Sequence, residues 1–258
     1  AVPQGGGRMI GRWRKTSRRM LHLPTMPAAI YAVGDIHGRF DLYHQIEQQI
    51  IEDAASIEGP KLLVILGDIV DRSAGVSGLI DHLLAPDPAG IQRVILCGNH
   101  DDMMCRFLDD PAGNRAWLDY GGAETLASYG LHLGEVTPPT MRLQHQLTTV
   151  IPPDHREFLI GLPLSLTVGD YVFAHASYNL DQTDARQDAQ TLMWGDPALA
   201  DRAKSRRILV HGHVIEDEPC IRPNRISIDT GAYKTGVLTA VRLLAGGCTP
   251  TFFSTKPK

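Results

Sequence analysis

Side chains able to hold a metal ion recur in this sequence directly after short aliphatic runs. Asp35 and His37 lie in Gly34-Asp35-Ile36-His37-Gly38, and Asp68, Asp71 and Arg72 lie in Gly67-Asp68-Ile69-Val70-Asp71-Arg72. Asn99 and His100 follow Gly98, His175 ends the run Tyr171-Val172-Phe173-Ala174, and His211 and His213 bracket Gly212 after Ile208-Leu209-Val210. Carboxylates mixed with several imidazoles suit Mn, Fe, Zn or Co better than Ca or Mg, which favour oxygen throughout. One Asp can bridge two such ions, and cations about 3.5–4 Å apart are a recurring device for displacement at phosphorus. The chemistry these residues could do is therefore metal-assisted hydrolysis of a phosphate ester. Taken singly, a histidine after a strand is ordinarily structural, and Gly-Asp is a plain turn signal. Five such segments at five successive strand ends are hard to assign to chance.

The elements that must position them follow from the same runs. Residues 30–33, 61–66 and 93–96 read as buried strands, each leading into a helical pattern: 42 to about 55, 77–84, and the stretch after His100. Residues 113–130 read as helical with a break at Gly121-Gly122, and prolines at 138, 139, 152, 153 and 163 divide the middle third into short helices. Further strands are expected at 171–174, 207–210, 226–228 and 237–243, the last alternating as an exposed or edge strand does. Strand C-termini are where α/β folds place ligand sites, because the loops converge there. The layout predicts an α/β fold in layers, two sheets flanked by helices, with the metal site at the C-terminal ends of the strands.

Composition narrows the rest. Residues 1–34 carry six of the 25 Lys and Arg side chains and no acid, leaving 19 basic against 29 acidic residues in the body. That body argues against a nucleic-acid surface, which needs a basic stripe. The longest apolar stretch, 62–66, is far too short to span a bilayer. Residues 1–28, with Gly5-Gly6-Gly7 and the basic Arg8, Arg12, Arg14, Lys15, Arg18 and Arg19, read as a flexible arm, and 29–258 as one catalytic domain. The start of the chain lacks the apolar run of a secretory signal. Cys97, Cys105, Cys220 and Cys248 form no CxxC pair, so reduced thiols and a cytoplasmic setting are expected.

Gly34-Asp35-x-His37-Gly38, Gly67-Asp68-x-Val70-Asp71-Arg72 and Gly98-Asn99-His100-Asp101 resemble the three signature blocks of the phosphoprotein phosphatases, within the calcineurin-like metallophosphoesterases. His175-Ala176 and Gly212-His213 resemble the two later histidine blocks of that family. The segment from Trp117 to Gly130, with Tyr120-Gly121-Gly122, Glu124 and Thr125, and the segment Ile228-Asp229-Thr230-Gly231-Ala232-Tyr233 resemble its bacterial and phage branch. The resemblance implies the calcineurin-like fold and two divalent transition metals, manganese first, with iron, zinc or cobalt as alternatives. By motif, Asp35 and His37 would hold the first metal, Asp68 would bridge, and Asn99, His175 and His213 would complete the second. His100 would be the general acid, Asp71 would accept its other ring proton, and Arg72 would grip the phosphate. A bridging water would attack, with no covalent enzyme intermediate. His213 fits the family's Gly-His pattern, leaving His211 one place early as a supporting residue.

Two positions depart from the pattern. Cys97 stands where many of the phosphatases carry arginine, and Asp101 where they carry glutamate. A second phosphate-gripping arginine is then expected near Met193-Trp194-Gly195-Asp196-Pro197, with Arg186, Arg202 and Arg206 all open. Cys97 could be a redox switch or merely a small buried side chain. The leading expectation is a phosphomonoesterase acting on phosphoserine or phosphothreonine in proteins. The alternative is a symmetrical diadenosine tetraphosphate hydrolase using the same metals. A binding module without catalysis would have lost a ligand or the acid, and all six candidate ligands and His100 are present.

Overall fold

A computed structural model describes residues 18–134 and 140–256. Arg8, Arg12, Arg14 and Lys15 of the expected arm, and Pro138 and Pro139, lie outside these residues. Two sheets stack face to face. The five-stranded sheet runs β11-β10-β2-β3-β4, from β2 (Ala29–Val33), β3 (Lys61–Ile65), β4 (Gln92–Ile95), β10 (Thr239–Leu244) and β11 (Thr251–Ser254). The six-stranded sheet runs β1-β5-β6-β7-β9-β8, from β1 (Met20–Leu23), β5 (Ser165–Val168), β6 (Tyr171–Ala174), β7 (Ile208–His211), β8 (Cys220–Arg222) and β9 (Arg225–Ser227).

The alternation of side chains along a strand explains why β2 and β3 are aliphatic throughout. Ile30, Ala32, Leu62 and Val64 pack between the sheets against Leu166, Phe173, Val210 and Ile226. Tyr31, Val33, Leu63 and Ile65 point the other way, into a core shared with helices α1 (Phe40–Ala54) and α2 (Val76–Leu84). The outer face of the six-stranded sheet, through Val172, Ala174 and Leu209, shares a core with Leu192 and Met193 of the helix Ala189–Trp194. The expected class therefore holds: two sheets between layers of helix. No helix among the described residues is long and apolar enough to cross a membrane.

Two expectations need correction. Residues 20–23, assigned to the arm, form β1, which pairs in parallel with β5. Arg18 anchors this segment by donating to the carbonyls of Leu159, Ile160 and Leu162 at 2.7, 3.2 and 3.2 Å. Strand β10 is not an edge but lies between β2 and β11, where its polar Arg242 donates to Asp53 at 2.6 Å and Thr251 at 3.0 Å.

Parallel pairing sets the position of the site. β2, β3 and β4 run in one direction, so Gly34-Asp35, Gly67-Asp68 and Gly98-Asn99 leave the sheet at one edge. β6 and β7 are parallel to each other and deliver His175 and Gly212-His213 to that same edge.

Candidate metal centre

The five strand ends converge on one cavity walled by Asp35, His37, Asp68, Arg72, Asn99, His100 and His213. Asp71 and His175 stand behind it, hydrogen-bonded to His100 and Asn99 respectively. The backbone is bent to aim these groups. Six non-glycine residues with positive φ occur among the described residues, and five are His37, Asp68, Asp71, Arg72 and His213. Such conformations cost of order 1–3 kcal/mol each and persist where the surroundings force them. Two glycines make room: a Cβ on Gly98 would strike the Asp68 carboxylate, and one on Gly212 would strike that of Asp35.

The donor atoms form two triangles that share Asp68. Those of His37, Asp68 and His100 lie within 4.8 Å of one another, as do those of Asp68, His175 and His213. His175 Nε2 is 2.8 Å from Asn99 Oδ1, 3.1 Å from His213 Nδ1 and 3.5 Å from Asp68 Oδ2. His37 Nε2 lies 3.5 Å from Asp68 Oδ2, while its Nδ1 donates to the Val70 carbonyl at 2.8 Å, which turns Nε2 inward. Asp35 accepts the His213 backbone N–H at 3.2 and 3.1 Å.

Electrostatics point the same way. Burial, then Asp229 and Asp68, push the Asp35 carboxyl well above its ordinary range. Burial pushes Asp68 up to about 6 and Asp229 up to about 6. Burial also holds His175 and His213 down at about 3, so both are neutral imidazoles with a lone pair to offer. Carboxylates crowded together and neutral histidines around them are what a cation completes, and this donor set fits two of them. Asp35, His37 and Asp68 would hold one ion, and Asp68, Asn99, His175 and His213 the other.

A chain of hydrogen bonds runs from the His100 corner of the first triangle. His100 Nδ1 donates to Asp71 Oδ2 at 2.7 Å, and Arg72 Nη2 donates to His100 Nε2 at 3.1 Å. Asp71 is itself held by two residues absent from the expected set: Trp117 Nε1–H donates to Oδ2 at 2.8 Å, and the Thr125 hydroxyl to Oδ1 at 2.8 Å. Asp101 caps the bridging loop, accepting the backbone N–H of Asp68, Ile69 and Gly98 at 2.9, 3.1 and 2.8 Å. Arg72 lies over the Tyr233 ring, 4.3 Å from its centroid, and its Nε is buried without a hydrogen-bond partner among the described residues. A buried donor left free at the cavity wall suits an incoming anion.

Other sequence expectations fall outside the site. None of Arg186, Arg202 and Arg206 lines the cavity, where Arg72 is the one Arg or Lys among the described residues. His211 turns away, with Nδ1 bonded to the Gly212 carbonyl at 2.9 Å and Nε2 facing Arg225 at 3.3 Å, because the strand ends there and His213 takes φ 65°. Cys97 is fully buried and its thiol pushed well up by burial, which makes it an inert packing residue. Asp229 was missed: it lines the cavity shortly after β9, a carboxylate following a strand as Asp35 does.

Comparison with known proteins agrees with this geometry. The chain is 26% identical over 229 residues to the asymmetrical bis(5'-nucleosyl)-tetraphosphatase PrpE of Anoxybacillus flavithermus, covering 81% of this chain and 88% of the relative. It is 26% identical over 264 residues to the symmetrical bis(5'-nucleosyl)-tetraphosphatase of Dechloromonas aromatica, covering 83% and 92%. The structure of a protein serine/threonine phosphatase from Saccharomyces cerevisiae, with similarity to human phosphatase PP5, shares the fold at TM-score 0.58 and 16% identity, covering 92% of this chain and 83% of that one. The family description "Calcineurin-like phosphoesterase" matches residues 28–235, and the chain belongs to that family.

Proposed function

We propose that this chain hydrolyses bis(5'-nucleosyl) tetraphosphates with a pair of divalent cations, manganese first among the candidates. The observation that carries the hydrolytic part is the sharing of Asp68 by two donor triangles, with Arg72 set against the His100 corner. When bound, the cations would neutralise phosphate oxygens and acidify a water. Arg72 exchanges its contact with His100 Nε2 for phosphate oxygens, which frees that nitrogen to carry a proton toward the leaving oxygen. Asp71, clamped by Trp117 and Thr125, keeps Nδ1–H directed away from substrate and fixes the ring.

The names of the relatives favour the dinucleotide over phosphoserine or phosphothreonine. The cavity supports that choice, since the arginine pair implied by the phosphoprotein resemblance is reduced here to Arg72. The test is turnover of diadenosine tetraphosphate and of a phosphothreonine peptide by the purified protein with Mn. A kcat/KM more than about tenfold higher for the dinucleotide is expected, and a tenfold preference for the peptide overturns the reading. His100→Asn should retain its metals and lose about a hundredfold or more on alkyl phosphates. Its loss on the dinucleotide, whose leaving group needs less protonation, should be smaller.

A further inference from the structure

We infer that the mouth of the metal cavity is a nucleoside site in which Tyr120 and Trp194 are the stacking platforms for the two bases of the substrate. The inference rests on the dinucleotide reading and adds where the bases sit. The cavity encloses about 190 Å³, below the ~300–1,000 Å³ usual for sites that engulf a ligand. Its floor is taken by the metal-holding side chains, so it accepts the reacting phosphates and leaves the rest of the substrate over the rim.

The rim is where the aromatic surface lies. Tyr120 and Trp194 are 55% and 40% exposed. Among the described residues they are the only exposed Tyr, Trp or Phe side chains, and both wall this cavity. Neither the Tyr120 hydroxyl nor the Trp194 indole N–H has a hydrogen-bond partner among the described residues. Tyr31, Tyr43, Tyr129, Tyr178 and Trp117, by contrast, bond Asp53, Glu47, His155, Asp184 and Asp71. Large aromatics left open with a free polar tip are suited to a ligand that brings a π-face and hydrogen-bonding edges. Tyr233, the other aromatic of the wall, is already engaged under Arg72.

The two platforms stand on different sides of the reaction centre. The Trp194 ring is edge-on to His213, centroids 6.2 Å apart at 81°. Tyr120 precedes Gly121, whose carbonyl accepts the Arg72 backbone N–H at 3.1 Å, which puts it on the side of Arg72 and His100. Met103, one turn after His100 on helix α3 (Asn99–Asp109), lines that side too. Because His100 serves the leaving oxygen, Tyr120 receives the base of the departing half and Trp194 that of the half under attack.

The experiment uses the metal-loaded full chain, Tyr120→Ala, Trp194→Ala and the conservative Tyr120→Phe and Trp194→Phe. Substrates are diadenosine tetraphosphate and p-nitrophenyl phosphate, and Kd is measured by calorimetry for a non-hydrolysable methylene analogue of the dinucleotide. Each alanine variant should raise KM and Kd for the dinucleotide roughly tenfold, the phenylalanine variants recovering most of it. The ratio of kcat/KM for dinucleotide over p-nitrophenyl phosphate should fall by a similar factor. Dinucleotide KM and Kd within twofold of wild type, or an equal loss on both substrates, would overturn the platforms while leaving the dinucleotide activity standing. A wild type that cleaves p-nitrophenyl phosphate and not the dinucleotide overturns both.

Discussion

Glu47 and Asp68 are both almost fully buried carboxylates, yet their surroundings follow opposite logic. Glu47 accepts the Tyr43 hydroxyl at 2.9 Å and meets His82 at 2.7 Å and Arg93 at 3.4 Å. Arg93 gives further N–H bonds to the carbonyls of Leu83 and Ala85, at 3.0 and 2.9 Å. That network is closed by the chain itself, each charge against its opposite. At the metal centre Asp35, Asp68 and Asp229 face one another, with Arg72 the only Lys or Arg on the wall among the described residues. The first arrangement stabilises the fold as it stands. The second is destabilised until cations arrive from outside, so folding and function are separable in this molecule.

The sharpest way to break that contrast is Asp68→Asn, which keeps the acceptor for the His100 backbone N–H and removes the shared charge. Activity on either substrate should drop by about a thousandfold. Metal content by elemental analysis should fall with it, while the chelated variant melts no lower than chelated wild type. A variant that retained both ions and turned over normally would remove Asp68 from the centre of the site. Next comes Glu47→Ala, which strands the buried Arg93. It should lower unfolding free energy by about 3 kcal/mol in urea, with kcat on p-nitrophenyl phosphate unchanged at a temperature where the variant is folded. A parallel loss of kcat would show that the two networks are one.

The same contrast decides what could be read from sequence. Strand-end donors were legible because β2, β3, β4, β6 and β7 are aliphatic runs that stop abruptly at a polar residue, and local pattern carries that signal. β1, β5, β8 and β11 were not, because polar His22, Ser165, Thr167, Arg222, Thr251 and Ser254 break the aliphatic pattern. Asp229 carried part of the signal of Asp35, a carboxylate after a strand run, although no glycine adjoins it. Trp117 and Thr125 could not have been given their role, since they reach Asp71 across 46 and 54 residues of sequence. Position within a shared network is a property of the fold, and neither residue is unusual locally.

Thr125→Val tests that long-range support. It preserves shape while deleting the hydroxyl that donates to Asp71 Oδ1 and accepts the Asp71 N–H at 2.9 Å. A loss of about tenfold in kcat on alkyl phosphates is expected, with a smaller loss on p-nitrophenyl phosphate and recovery in Thr125→Ser. Equal losses on good and poor leaving groups would make Thr125 a packing residue only.

The smallest effect is the pH dependence of the metal-free protein, and its sign is informative. Burial pushes Asp71 up to about 8, from 3.8, against the opposing pull of Thr125 and Trp117. Between those values the folded chain holds a proton that the unfolded chain has released, so this stabilisation is complete below 3.8 and is lost as pH rises through about 8. His175 and His213 act in the opposite sense, held at about 3 when folded against 6.5 when unfolded, so they add stability with rising pH only up to 6.5. Above 6.5 that compensation stops, and Asp101, pushed up to about 7 by burial and Asp68, works in the same direction as Asp71. The urea midpoint of chelated protein should therefore decline from pH 6.5 to 8.5. Asp71→Asn, uncharged throughout, should flatten most of the slope. A midpoint that holds or rises across this window would mean that Trp117, Thr125 and His100 keep Asp71 ionised in the folded state, closing that chain of hydrogen bonds as completely as Arg93 closes the network at Glu47.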